Sequence, residues 1–208
     1  MKAKSIIGSF IILSAASACS VQSLHPLYSE EVLVYDDDLE GDWLDDDGRL
    51  WSLESAVRSQ ALDSGSQKEA VRRNKMYLAS YKDEKDSLYA FEFHLVRLGK
   101  HRFVDIFPWE KYNEKLINEF MVANLLPVHT FAKIDLKGDS LFLSQINGEW
   151  VSDLIKNNQI RISHEKLTLY GDAEIVLTAS TQELQKFLLK YQSDPQAYVQ
   201  PDVFVRKR

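Results

Sequence analysis

The one grouping of imidazole and carboxylate that strand pairing brings together in this sequence is His94 facing Asp105, with Glu92 on the same strand face. A histidine oriented by an aspartate is the arrangement of a general base. No serine or cysteine nucleophile accompanies it, so a cross-strand polar pair is the simpler account, and the chain is not read as an enzyme. His25, His101, His129 and His164 are scattered with no i, i+2 or i, i+4 spacing, which argues against zinc. The acidic run from Asp36 to Gly48 invites a calcium reading, with Asp45 and Asp47 as ligands and Glu54 as the bidentate residue of an EF-hand-like loop. In that alignment Trp43 occupies the first ligand position, where an oxygen is required, and a solvated turn explains the same residues. No metal or cofactor is expected.

The remaining reactive group is the only cysteine, Cys19. Lys2 and Lys4 precede an uncharged run from Ser5 to Ala18, and Ala16, Ser17 and Ala18 lead directly to the thiol. A positive start, a short apolar stretch and small residues make a secretory signal, and the stretch is too short and too interrupted to span a bilayer. Ala16-Ser17-Ala18-Cys19 resembles the lipobox of bacterial lipoproteins, with Ala16 where leucine is commoner. The resemblance implies cleavage between Ala18 and Cys19, acylation of the cysteine, and a membrane anchor made stable by two or three chains. Ser20, being other than aspartate, implies by the same resemblance the outer membrane, with the protein facing the periplasm. Residues 1–18 are then the signal peptide, 19–40 a lipidated tether and lead-in, and 41–208 one domain.

Composition bounds that domain. Hydrophobic residues at 45% and charged residues at 27% belong to a globular chain. The net charge of −6 becomes more negative once Lys2 and Lys4 leave with the signal. Nucleic acid is excluded as a partner, because phosphate binding needs a basic stripe and the longest here is Arg206-Lys207-Arg208. A lipidated Cys19 leaves no thiol for a disulfide, so the fold must hold by packing.

The elements that would position these residues are mostly strands. Gly41–Leu44 and Arg49–Leu53 flank an Asp-Gly turn, Met76–Tyr81 starts a further series, and Leu88–Arg97 alternates with Tyr89, Phe91, Phe93 and Leu95 on one face. A two-residue turn at Gly99-Lys100 pairs Leu95 with Val104 and Phe93 with Ile106, so the two apolar faces coincide. That face is either filled core or the wall of a ligand site. Trp109–Leu125 reads as an amphipathic helix after a polar excursion at Ala56–Lys75. A hairpin through Lys137-Gly138 sets Ile134 against Leu141 and Ala132 against Leu143. Gly148–Asn157 reads as a helix, and Ile160–Ser163 and Ala173–Thr178 as strands. Ser180-Thr181-Gln182-Glu183 is a capping box opening a helix with Leu184, Phe187, Leu188 and Tyr191 on one side.

Hairpin order over about eight strands, with two to three packed helices, predicts a mainly β, antiparallel up-and-down curled sheet or barrel. Gly41-Asp42-Trp43 on the first strand, the meander, and a late helix followed by Val203-Phe204-Val205-Arg206 resemble a lipocalin-type barrel. That resemblance implies that Trp43 plugs the barrel floor beneath Arg206. The lead through Pro26-Leu27-Tyr28 to Gly41-x-Trp43, with Leu95-Val96-Arg97-Leu98-Gly99 and Val176-Leu177-Thr178, also resembles small bacterial lipoproteins of unknown function. Two functions follow as expectations. One is an envelope binding module for a small apolar molecule, with Tyr89, Phe91, Phe93, Leu95, Val104 and Ile106 as its wall. The other is an envelope scaffold that docks on proteins and has a filled core.

Overall fold

Period-two alternation closes into a ring. The computed structural model describes residues 21–58, 72, 74–83, 86–109, 126–169 and 172–208. Its strands are β1 (Gln22–Ser23), β2 (Gly41–Leu44), β3 (Leu50–Ser55), β4 (Met76–Lys82), β5 (Leu88–Leu98), β6 (His101–Pro108), β7 (His129–Lys137), β8 (Ser140–Gln145), β9 (His164–Leu169), β10 (Asp172–Leu177) and β11 (Asp202–Arg206). β2 through β8 pair in chain order, all antiparallel, while β6 bonds to β7 and β11 fits between β8 and β2. The result is a closed eight-stranded barrel, the lipocalin-like alternative of the sequence reading, in which no strand of the ring has an open edge.

Two glycine turns set the registers. Gly99 has φ +59° as the first central residue of the β5–β6 turn, and Leu95↔Val104, Phe93↔Ile106 and His94↔Asp105 pair as the alternation predicts. In the β7–β8 hairpin Gly138 likewise has φ +59°, but the turn is Gly138-Asp139 and not Lys137-Gly138. Ile134 therefore faces Leu143, Leu136 faces Leu141, and Ala132 faces Gln145, two residues from the expected pairing. A shift of two preserves which face is apolar, so alternation alone could not exclude it; the preference for glycine at the first turn position decides.

Between β8 and β11 the chain leaves the barrel. It forms helix α1 (Gly148–Lys156), the β9–β10 hairpin and helix α2 (Thr181–Tyr191). Asn147 caps α1 by accepting from the Trp150 amide at 3.2 Å. The capping box of α2 is complete: the Glu183 amide donates to Ser180 Oγ at 3.4 Å and the Ser180 amide to Glu183 Oε2 at 2.9 Å. The strand expected at Ile160–Ser163 begins instead at His164, because pairing across the β9–β10 turn fixes His164 opposite Leu177. The expected helix at Trp109–Leu125, apart from Trp109, which is not helical, most of the 56–75 excursion, and the segment containing Ala18 and Cys19 lie outside the described residues.

Apolar side chains bury in two main layers. Inward positions of the barrel strands hold Trp43, Tyr77, Phe93, Leu95, Val104 and Ile134. Outward positions on β5, β6 and β7, namely Val96, Phe103 and Phe131, pack beneath Leu184, Phe187 and Leu188 of α2. Each fully buried side chain of this size contributes about 1.5–3 kcal/mol.

Residues 21–40 are not a free tether. β1 pairs antiparallel with β7 and parallel with β10. Arg97 donates from its amide to Val32 at 2.9 Å, and Val34 to Leu95 at 3.0 Å. Leu27, Leu33 and Leu39 are buried. Leu27 packs in the layer beneath α2 and Leu39 in the barrel interior, and with Ser29, Glu31, Tyr35 and Asp37 at the intervening steps of two these leucines show no alternation in the sequence.

Candidate ligand-binding cavity

The barrel is plugged at one end. Gly41 takes φ +126°, and a Cβ there would lie 2.8 Å from Arg206 Nη1, so glycine is the residue that admits the guanidinium. Arg206 pairs with Trp43 across β11 and β2. Its guanidinium carbon sits 4.2 Å from the centre of the Trp43 ring, a cation–π contact. Nη1 donates to the Glu40 carbonyl at 2.7 Å and Nη2 to that of Asp38. The indole donates from Nε1 to Leu39 at 3.0 Å, and the one-turn 3₁₀ helix Asp37–Leu39 covers this end with Leu39 fully buried. Tyr77 seals the side by stacking on Tyr35 at 4.6 Å while its hydroxyl donates to the Asp36 carbonyl at 3.0 Å. Burial pushes the Tyr77 hydroxyl well above its ordinary pKa, so it stays protonated and a donor.

Above Trp43 the barrel encloses a cavity of about 420 Å³. Its wall is built from Trp51, Leu53, Phe91, Phe93, Leu141 and Phe204. The aromatic rings support one another. Trp51 lies 6.4 Å from Phe91 and meets Phe204 edge-on at 5.8 Å. Strand geometry explains why one strand supplies several levels of the site. On β11, alternate inward residues place Arg206 at the floor, Phe204 in the wall and Asp202 at the mouth. On the β2–β3 hairpin the same alternation places Trp43 at the floor, Trp51 in the wall, and Asp45 and Arg49 at the mouth.

The expected ligand wall divides by depth. Phe91, Phe93 and Ile106 line the cavity. Leu95 and Val104 point the same way one level deeper, where both are fully buried in the packed core. Tyr89 does not line the cavity and stacks on Tyr81 at 5.0 Å. The inner face is therefore core in one half of the barrel and wall in the other. Sequence reasoning missed Trp51, Leu53 and Phe204, although the period of two on β3 and β11 carried the signal. Asp45–Asp47 form the solvated turn expected of them, with Asp46 and Asp47 exposed, and that turn also borders the cavity.

The acidic turn does not have an EF-hand arrangement. Asp45 Oδ1 accepts from the amides of Asp47 and Arg49, and Oδ2 from Trp51 Nε1 at 2.9 Å. Arg49 reaches Asp47 at 2.6 Å and Asp45 at 3.5 Å. No group of three metal-ligating side chains occurs among the described residues.

His94 and Asp105 face each other in register as expected, yet they are not exposed and do not bond to each other. His94 Nε2 donates to Glu92 at 2.9 Å. Asp105 accepts from His129 Nδ1 at 2.7 Å and from the Leu27 amide at 2.6 Å. Tyr28 covers the group with its ring 4.2 Å from that of His94, and its hydroxyl accepts from Arg72 at 3.1 Å. Burial raises the Tyr28 pKa. For Glu92 burial also pushes upward, but the hydrogen bond and charge of His94, with Arg72 and His129, outweigh it and hold the carboxyl below its ordinary value. Ser23, paired in register with His129, donates to the His25 carbonyl at 2.8 Å. This cluster fastens residues 25–28 to the outside of the barrel, on the far side of the sheet from the cavity. No protein-family model, curated protein or solved structure matches this chain.

Proposed function

We propose that this protein is an envelope lipoprotein that holds a small apolar molecule in its barrel. The observation that carries the reading is the cavity of about 420 Å³ above Trp43, walled by Trp51, Phe91, Phe93 and Phe204. Volume and lining both fall in the range of small-molecule sites, which are concave and largely apolar with a few polar groups at defined places. The alternative of a scaffold with a filled interior has no comparable observation in its favour.

The anchor is part of the proposal and rests on the Ala16-Ser17-Ala18-Cys19 resemblance. Metabolic labelling with palmitate should mark the native chain and not Cys19→Ala; equal labelling of both would remove the anchor from the proposal. For the ligand, native mass spectrometry of the chain expressed from Ser20, followed by solvent extraction, should release a bound small molecule. A chain that carries nothing, and that takes up no alkyl or aromatic probe, would rule out the binding role.

A further inference from the structure

The mouth of the cavity differs in character from its wall. Asp45, Asp46, Asp47 and Asp202 border it, and among the described residues Arg49 is the one basic residue in the lining. Arg49 is held by Asp45 and Asp47 on its own hairpin, with its guanidinium 5.6 Å from the Tyr81 ring centre. The side chains of Asp46 and Asp202 make neither a hydrogen bond nor an ion pair among the described residues, and they come from neighbouring segments of the rim, one in the β2–β3 turn and one at the start of β11, the strand that pairs with β2. The described lining therefore carries an excess of three acidic side chains above an aromatic wall. Partial burial, together with the charges of Asp46 and Asp45, raises the Asp202 pKa.

An anionic amphiphile is a poor fit to this entrance. A carboxylate or phosphate head left at the mouth would meet Asp46 and Asp202, at a cost in affinity. A head inserted first gains nothing from Arg206, because the Trp43 ring lies between the cavity and the guanidinium, whose donors already serve the Glu40 and Asp38 carbonyls. A neutral molecule fits the wall but gains nothing from the two carboxylates, which are exposed to solvent. A cation with an apolar body answers both halves of the site. Its body occupies the wall of Trp51, Phe91 and Phe204, and its charge meets the carboxylates at a level where an aromatic face also attracts it.

We propose that the ligand of this cavity is a cationic amphiphile, an apolar or aromatic body bearing an ammonium group that lies between Asp46 and Asp202. The inference rests on the binding role proposed above and narrows it to one charge class.

The test uses three probes with one chain length: octyltrimethylammonium, octanol and octanoate. The protein is the chain from Ser20, which contains every described strand, helix and core contact. Titration calorimetry should give the ammonium an affinity roughly tenfold above that of octanoate, or about 1.4 kcal/mol at 25 °C, with octanol between them. In the double variant Asp46→Asn, Asp202→Asn the three affinities should converge while octanol binding stays as in the native chain, which also shows that the variant is folded. Equal binding of all three probes by the native chain would overturn the cationic inference and leave the binding role intact. Preference for the ammonium that survives in the double variant would overturn the assignment to these two carboxylates. Failure of all three to bind would overturn the binding role itself.

Discussion

At the scale of single residues, the plug concentrates most of the specificity of this sequence into Gly41, Trp43 and Arg206. Gly41→Ala imposes two penalties, a side chain on a backbone at φ +126° and a Cβ 2.8 Å from Arg206 Nη1. The conformational part costs about 1–3 kcal/mol, and the displaced guanidinium weakens the Trp43 stack besides. Urea denaturation should place the loss at about 2–4 kcal/mol. In an Arg206→Met background the same substitution should cost measurably less, since the group it collides with is gone; additivity of the two changes would mean that close approach is not the reason for the glycine. The pair was legible because a glycine two residues before a tryptophan on an early strand is a local pattern, and an arginine on the last strand completes it. Legibility stopped at the carbonyls of Asp38 and Glu40 that receive the guanidinium, because main-chain acceptors leave no trace in side-chain types.

At the scale of elements, hairpins were the readable unit and long-range insertions were not. β5 and β6 follow from alternation plus one glycine, and α2 from its capping box and stripe. The β7–β8 register was off by two because both pairings present the same apolar face, and only the φ demanded at Gly138 separates them. Residues 21–40 were invisible as structure because their order comes from distant partners, above all Asp105, which is fully buried and accepts from Leu27 and His129. Asp105→Ala leaves two buried donors unpaired, at about 1–3 kcal/mol each. The expected result is a loss of about 2–5 kcal/mol in denaturant, together with faster amide exchange at Leu27 while β4 and β5 stay protected. Exchange that accelerates uniformly would show that the segment is not a separate unit. Acid should act on the same attachment. Glu92 has a folded pKa below its unfolded value near 4.5, so its contribution is present above that value and disappears as pH falls through the lower folded one. Stability followed from about pH 5 down to about pH 3 should decline more steeply in the native chain than in Glu92→Gln; parallel declines would assign acid sensitivity to other carboxylates.

At the scale of the whole molecule, closure of the ring was the step that strand counting could only narrow to two alternatives. It is decided by β11, a five-residue strand that completes hydrogen bonding on both β8 and β2 after an excursion of two helices and a hairpin. Closure makes the interior a vessel, and the residues that keep it open at one end are the small and thin ones. Ala79→Leu adds bulk to the lining, and it should reduce octanol affinity at least about tenfold while stability changes by less than about 1.5 kcal/mol. Unchanged affinity would place the probe elsewhere on the surface. β1 also bears on how such a vessel would be presented. Gln22 pairs with Thr130, and Thr130 is itself part of the cavity lining. If Cys19 carries the proposed lipid, three peptide steps separate that lipid from Gln22, a reach of about 10 Å when fully extended. The protein would then behave less like a float on a line than like a cup riveted near its lip: free to spin about the rivet, unable to wander from the bilayer, and drawing its contents from whatever drifts along the membrane surface.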